Sequence, residues 1–313
     1  MPTTLVTGGA GFIGSHLVQH LLFNGHRVIV LDDLSMGRAE NLPRSPRLRF
    51  VYGSITNTPL LAALLTSERP DYIYHLAAIA SVAHSIAAPA ACHLVNYSAV
   101  VHLLQLIRDE QLPLRKLVFA SSAAVYGSAP ALPKTEDLPV SPESPYAIDK
   151  YASERMVLAF GALHDIPTVA ARFFNVYGPR QNPRSPYSGV LSKLTAALQT
   201  GQPFTCLGDG EQTRDFVYVA DVVAALVRLG EDPAVTNAVF NVGTGQASSL
   251  NDVIRLLETI SRRRLRRRQA AARPGDIKHS RASSDRLQAL GWRPQYALPA
   301  GLSAYWTALA ATP

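Results

Sequence analysis

Thr4-Leu5-Val6-Thr7-Gly8-Gly9-Ala10-Gly11-Phe12-Ile13-Gly14 is the stretch that decides the fold. Its first four residues read as a short buried strand, and an amphipathic helix follows over residues 15–23. Gly8, Gly11 and Gly14 give GxxGxxG, a spacing variant of the dinucleotide fingerprint. Glycines in that register allow a tight turn, close backbone approach to a pyrophosphate, and close helix–strand packing. Amides at the helix N-terminus then face the anion. Gly25-His26 ends the helix, residues 27–31 form a second strand, and Asp32-Asp33 closes it. An acid at that strand end accepts hydrogen bonds from the adenosine ribose hydroxyls and repels a 2′-phosphate, which predicts NAD over NADP. Arg38 is the nearby cation that speaks for a phosphate instead.

Working outward, strand-like and helix-like segments keep alternating, the pattern of a parallel sheet covered by helices. Residues 49–53, 72–78, 116–122 and 168–173 read as strands three to six, and residues 91–110 and 146–164 as helices. Ligands in such sheets bind beyond the carboxyl ends of the strands. Gly8, Asp32, Ala78, Ser122 and Phe174 all fall there. After residue 174 Pro, Gly and Arg recur, in residues 178–183 and 272–276. The expected architecture is α/β: a Rossmann-type doubly wound parallel sheet over residues 1–174, with a smaller, partly interleaved α/β lobe over 175–313.

One further pair carries chemistry. In Ser144-Pro145-Tyr146-Ala147-Ile148-Asp149-Lys150, Ser144 suits an N-cap and Pro145 the first helical position. Residues at i and i+4 share a helix face, which sets the Tyr146 phenol beside the Lys150 ammonium. A free tyrosine is a poor base at neutral pH, and a nearby positive charge favours its phenolate. YxxxK alone also describes an ordinary helix; the Gly-rich turn upstream gives it meaning.

The 313-residue chain, 47% hydrophobic and 17% charged, can bury a large core. No apolar run is expected to reach the roughly 18 residues of a membrane span, and the opening residues lack a signal-peptide pattern, so the cytoplasm is the expected location. Cys92 and Cys206 lack metal-ligand spacing and read as two reduced thiols, with no metal site. The net charge of +7 owes much to Arg262-Arg263-Arg264-Leu265-Arg266-Arg267-Arg268. Such a run can mark nucleic-acid binding, but no aromatic residues interleave it, and a solvated helix end and edge strand is the plainer reading. No nucleic-acid or membrane partner is expected.

Eight blocks in order resemble the extended short-chain dehydrogenase/reductases, within the NAD-dependent epimerase/dehydratase family: TGGAGFIGSHL, DDLSMGRAENL, HLAAIASVAHS, SSAAVYG, SPYAIDK, RFFNVYGPRQNP, GDGEQTRDFVYVADVV and RPGDIKHS. They are most similar to UDP-hexose 4-epimerases and cover nearly the whole chain. The resemblance implies Tyr146 as the base, Lys150 as its partner on the nicotinamide ribose, and Ser122 as the hydroxyl that polarises the sugar oxygen, with Ser121 beside it able to share that contact. It implies NAD contacts from Gly8, Gly11, Phe12, Ile13, Gly14, Asp32, Asp33, Leu76, Ala77, Ala78 and Phe173. Ser81, Val82 and Ser85 resemble the loop that touches the hexose. Asn175, Arg214 and Arg273 resemble the groups that anchor the diphosphate, and Asp276 the one on the uridine ribose. The chain departs from the family at Gly53-Ser54-Ile55, where an Asp usually stands beside the adenine; here that contact falls to Ser54 and to backbone groups of Ile55.

The turn after the fifth strand separates the family's reactions. Dehydratases resembling this chain carry an Asp-Glu pair there and decarboxylases a Glu, whereas this chain has Ser122-Ala123-Ala124-Val125. Without those acids, 4-epimerisation is the expected reaction. Ser280, seven residues after Arg273, stands where epimerases restricted to non-acetylated sugars resemble one another in having Tyr; a small residue there makes room for an N-acetyl group. The alternatives are a dehydratase, a reductase or a catalytically silent NAD-binding relative. Helices near 91–110 and 146–164 resemble those that pair in family homodimers, although Leu94, Val101, Leu104 and Ile107 also suit an intramolecular core.

Overall fold

A computed structural model describes residues 1–181, 189–271 and 277–310. Its strands are β1 (Thr3–Thr7), β2 (Arg27–Asp32), β3 (Leu48–Tyr52), β4 (Tyr72–His75), β5 (Lys116–Ser122), β6 (Thr168–Phe173), β7 (Asn175–Tyr177), β8 (Phe204–Leu207), β9 (Thr213–Tyr218), β10 (Ala238–Val242), β11 (Ala247–Ser249) and β12 (Arg267–Ala270). Its helices are α1 (Phe12–Phe23), α2 (Thr58–Glu68), α3 (Val82–Ala87), α4 (Pro89–His93), α5 (Ala99–Asp109), α6 (Pro145–Leu163), α7 (Val190–Thr200), α8 (Val219–Glu231), α9 (Leu250–Ser261), α10 (Asp285–Ala289) and α11 (Leu298–Ala310). Two compact units result. The first takes Met1–Val125, Pro142–Arg172 and Val223–Phe240; the second takes Tyr126–Ser141, Phe173–Val222 and Asn241–Pro313.

In the first unit a seven-stranded sheet runs β10-β6-β5-β4-β1-β2-β3. The strands β3, β2, β1, β4 and β5 pair in parallel. The order reverses beside β1, which makes its carboxyl end the topological switch point. Val28, Ile29, Val30 and Leu31 of β2 are all buried. Such a continuous apolar run is what a strand covered on both faces requires. The edge strand β3 is exposed, and Glu68 holds Arg49 from it and Arg27 from its neighbour β2.

Helix α1 begins at Phe12, three residues earlier than its apolar pattern suggests, because Gly11 already serves as N-cap. Helix α6 starts as read, with Ser144 Oγ accepting from Ala147 N at 3.2 Å and Pro145 in the first turn. The single helix expected over 91–110 is instead α4, a π turn at Leu94–Ser98, and α5. Asn96 explains the widened turn: its carbonyl accepts from Ser153 Oγ on α6 at 2.7 Å, and its amide clasps both backbone groups of Ile79. By length and composition alone, the helical run Pro89–Asp109 is apolar and long enough to cross a membrane. It lies along the core, with Val100, Leu103, Leu104 and Ile107 buried against β4 and β5 side chains such as Ile73 and Phe119. Leu104 and Ile107 are thus intramolecular core, while Leu94 is exposed.

One buried ionic knot binds three elements of this unit. Glu154 of α6 accepts from Arg172 of β6 at 2.9 and 2.6 Å and from Ser121 Oγ of β5 at 2.7 Å. Arg172 and Glu154 side chains are 4% and 0% exposed, so neither charge has water to fall back on.

The second unit holds a three-stranded sheet, β11-β9-β7, and a two-stranded one, β12-β8. The arginine run caps and edges this unit. Arg263 donates to the terminal carbonyls Leu198 and Gln199 of α7 and lies 5.9 Å from the Trp306 ring centre, while Arg264 and Arg267 share Glu258.

Replacing Glu154 with Gln removes the carboxylate that accepts two bonds from a buried guanidinium, so chemical denaturation is expected to show a loss of about 3–5 kcal/mol. A loss under about 1 kcal/mol would mean that water reaches Arg172.

Candidate active site

The Gly-rich turn is shaped by contact as well as by sequence. Gly8 has φ 71°, and a Cβ there would lie 2.7 Å from Ala77 N. A Cβ on Gly14 would lie 2.2 Å from Gly8 O, so α1 can pack on the turn only without one. No side chain caps α1. Its first-turn amides are therefore left for an anion, and the turn fits a dinucleotide pyrophosphate on this geometry.

Asp32 does more than the sequence reading assigned. Its Oδ2 accepts from Ala10 N at 2.9 Å and Oδ1 from Leu34 N at 2.8 Å, which braces the turn across β2. Burial pushes its carboxyl above the ordinary range, and these backbone bonds oppose the push. Asp33 accepts from Ser35. At the end of β3, Ser54 Oγ takes the Thr56 backbone and hydroxyl, and the Ile55 side chain is buried in the core. Phe173 ends β6, half-buried.

Tyr146, Lys150 and Glu154 are spaced four apart on α6, so one face carries all three. Glu154 is fixed by the ionic knot, which sets the other two. Burial raises the Tyr146 phenol above 10, and a hydrogen bond with Ser122 opposes the rise. Lys150 shares the helix face of the phenol, and its amine is held from β5. Its Nζ donates to Ala120 O at 3.0 Å and lies 5.0 Å from the Phe119 ring centre. Burial pulls this ammonium down to about 8, with Asp149 opposing.

Two serines change role. Ser121 was expected to be able to share the contact of Ser122, but alternation along β5 turns it the other way, and its hydroxyl is spent on Glu154. Ser85 was expected on the hexose; it is fully buried, donates to Val82 O at 2.8 Å and accepts from Tyr146 N at 3.0 Å. It therefore anchors the first turn of α6. Ser81 caps α3 by accepting from His84 N, and Val82 beside it is exposed.

His75, at the end of β4, was not anticipated as part of this cluster. It is buried, stacks on Phe119 at 5.9 Å, and has Nδ1 2.9 Å from Thr7 Oγ1, while Nε2 has no partner. Burial, and then the charge of Lys150, hold its ring down to about 3. The HLAA block marked the position; only the packing shows that the ring stays neutral.

Within the second unit, Asn175 and Arg214 line one cavity of about 640 Å³ together with Lys193, Gln212, Phe204 and Phe216. Lys193 lay outside the quoted blocks, and Gln212 lay within GDGEQTRDFVYVADVV without an assigned role. Arg214 Nη1 donates to Thr213 O at 2.9 Å, and Ser280 N donates to that same carbonyl at 3.1 Å. Arg273 and Asp276 lie outside the described residues.

The model of the NAD dependent epimerase/dehydratase family matches residues 4–243. A UDP-glucose 4-epimerase of Mycolicibacterium smegmatis is 42% identical over 305 residues, 96% of each chain. The crystal structure of a UDP-glucose 4-epimerase from Thermotoga maritima with UDP-glucose superposes with a TM-score of 0.94 at 36% identity, covering 99% of both chains. A UDP-N-acetylglucosamine 4-epimerase from Methanobrevibacter ruminantium, in complex with UDP-N-acetylmuramic acid, gives 0.93 at 33% identity, covering 100% of this chain and 99% of that one.

The neutrality of His75 has a consequence for pH. Its folded value lies below the unfolded 6.5, so the stability it carries is complete above about pH 6.5 and is lost as pH falls toward 3. The slope from this group is at most about 1.4 kcal/mol per pH unit. Denaturant melts of His75→Leu between pH 6.5 and 4 are expected to fall less steeply than the wild type. Parallel slopes would place the acid sensitivity elsewhere.

Proposed function

Because the chain belongs to the NAD-dependent epimerase/dehydratase family, we propose that it is a UDP-sugar 4-epimerase that interconverts UDP-GlcNAc and UDP-GalNAc and also accepts UDP-glucose and UDP-galactose. The observation that carries the reaction is Tyr146 and Lys150 on one face of α6, with Lys150 held to Ala120 O of β5, whose end offers Ser122 and then methyl groups where elimination needs acids.

In this reading Gly8, Gly11, Phe12, Ile13 and Gly14 hold the pyrophosphate of NAD, and Asp32 and Asp33 its adenosine ribose. Ser54 and Ile55 meet the adenine, with Leu76, Ala77, Ala78 and Phe173 toward the nicotinamide. NAD, when bound, supplies reversible hydride transfer at the sugar C4. Tyr146 takes the proton from the C4 hydroxyl and later returns it, so the sugar passes through a 4-keto form. Ser122 polarises the C4 oxygen, and Lys150 keeps a positive charge near the phenol and holds the nicotinamide ribose. Asn175, Arg214 and Arg273 anchor the diphosphate and Asp276 the uridine ribose, which leaves the 4-keto sugar free to turn over and present its other face.

Acetylated sugars are favoured by Ser280. Its backbone is tied to Thr213 next to Arg214, so a small side chain is presented close to a diphosphate anchor. UDP-glucose as the sole substrate is the second reading, supported by the 42% identical relative.

Proton NMR of purified protein with UDP-GlcNAc is expected to show UDP-GalNAc growing to a constant ratio. Tyr146→Phe should lower turnover by about 10²–10⁴, and Ser280→Tyr should suppress the acetylated pair selectively. Conversion of UDP-glucose alone would restrict the substrate, and near-full turnover by Tyr146→Phe would remove the base.

We also infer a homodimer through α3, the π turn and α6. Ile86 and Leu94 are 65% and 52% exposed there, beside exposed Val82 and Ile148. Sedimentation is expected to give twice the 33.8 kDa chain mass. Leu94→Arg should yield monomer, and an unchanged dimer would assign the interface to another face.

A further inference from the structure

The arginine run over residues 262–268 is a motif that the function above leaves unused, although it supplies six of the cations behind a net charge of +7. Most of it has work in the fold. Arg262 ends α9 in a left-handed conformation, with φ 54°. Arg263 joins α7 to α11 through two carbonyls and the Trp306 ring, and Arg264 and Arg267 share Glu258. Arg266 and Arg268 differ. Both are exposed, and neither side chain has an ion pair or a hydrogen bond among the described residues.

Strand pairing sets where these two stand. β12 pairs in parallel with β8, and Arg268 is the register partner of Thr205. One step back, the Arg266 carbonyl accepts from Phe204 N at 2.8 Å. Register partners on neighbouring strands lie about 4.8 Å apart and point to the same face. Leu265 is buried and Arg267 reaches Glu258, so alternation turns Arg266 and Arg268 to the opposite side. Thr205 is exposed on that side. Together with Pro203 and Leu207 it lines the cavity of about 640 Å³ that also holds Arg214 and Lys193. The two unpaired arginines therefore stand on the strand beside a cavity wall. No Asp or Glu lines that cavity among the described residues. The acids that follow β8, Asp209 and Glu211, accept from Glu211 N and Asn251 Nδ2.

We propose that Arg266 and Arg268 form an electrostatic collar that gathers the diphosphate of an incoming nucleotide sugar before Arg214 receives it, which rests on the UDP-sugar reading of this site. The diphosphate bridge is a dianion, and a cleft edged by the opposite charge raises its rate of arrival. Such a rim charge acts on association and on its salt dependence more than on the bound complex. The lack of a partner is what suits these two to the task. An arginine already matched by Glu258 adds little field, whereas Arg266 and Arg268 keep theirs. The plain alternative is that they only stop the open edge of β12 from pairing with another chain. Their loss would then change self-association and leave nucleotide capture untouched.

Stopped-flow association of the NAD-loaded protein with UDP carrying a fluorophore on its terminal phosphate reads kon and koff. In Arg266→Gln/Arg268→Gln, kon at about 20 mM salt is expected to fall about three- to tenfold, with koff within about twofold of wild type. At about 0.5 M salt the Debye length shrinks to about 4 Å, and the two proteins should associate at the same rate. Arg266→Lys/Arg268→Lys keeps the charge and should restore kon. Arg255→Gln/Arg262→Gln removes the same net charge from α9 and its C-cap, and should keep kon within about twofold of wild type.

An unchanged kon at low salt overturns the proposal, whether or not the variant self-associates. So does an equal loss in Arg255→Gln/Arg262→Gln, or a rise in koff with kon intact, which would make these arginines contacts of the bound ligand. Failure of UDP to bind where labelled ADP or GDP binds would sink the uridine reading, and the same salt series on that nucleotide would still decide this one. Binding of none of them would overturn both.

Discussion

The Glu154–Arg172 pair is the constraint on which the candidate site of the first unit depends. Two full charges are taken out of water, and their attraction returns that cost only if the geometry is held and the remaining lone pairs are satisfied. Arg172 supplies two bonds and Ser121 a third. The consequence is directional. Glu154 sits on the face of α6 that carries Lys150 and Tyr146, Arg172 lies one residue from the end of β6, and Ser121 is the neighbour of Ser122. Fixing one carboxylate therefore fixes a phenol, an amine and a hydroxyl that come from separate elements. An apolar trio could be as stable, but it would set no register between helix and strands with comparable sharpness.

Burial shifts the titratable groups around this knot away from their charged forms. It raises the phenol of Tyr146, lowers the ammonium of Lys150 and suppresses the imidazolium of His75. What opposes it is sparse: Ser122 on the phenol and Asp149 on the amine. The neutrality of His75 belongs to the same balance. A protonated ring stacked on Phe119 would repel Lys150, so enclosing the histidine protects the lysine. The cost of enclosure at β4 thus supports the charge at α6.

What could be read from the chain was what is local in sequence. The Gly-rich turn, the apolar run of β2 and the Ser144–Pro145 start of α6 are each fixed by neighbours within a few residues, and each formed as the residues imply. The i, i+4 spacing put Tyr146 and Lys150 on one face but could not say that Lys150 turns to Ala120. Ser85 and Ser121 matched a motif in position and differ in role because their partners, Tyr146 and Glu154, lie 61 and 33 residues away. The π turn at Leu94–Ser98 arises from bonds of Asn96 to Ile79 and Ser153, which no periodicity records. Glu154 was legible in principle, as the next member of the Tyr146, Lys150 series; its partner Arg172 was not.

The second unit shows how a scaffold can leave one side chain free to vary. Asp215 of β9 is buried and accepts from Thr244, Gly245 and Ala282 backbone groups, fastening two loops to one carboxylate. Ser280 lies between that fastening and its own bond to Thr213, so both flanks of its backbone are held by main-chain bonds. None of these bonds uses the serine hydroxyl. The size of the residue at 280 can therefore change without moving Arg214, one position along β9. On the proposed reading of Ser280, this arrangement separates where the side chain stands from what it is.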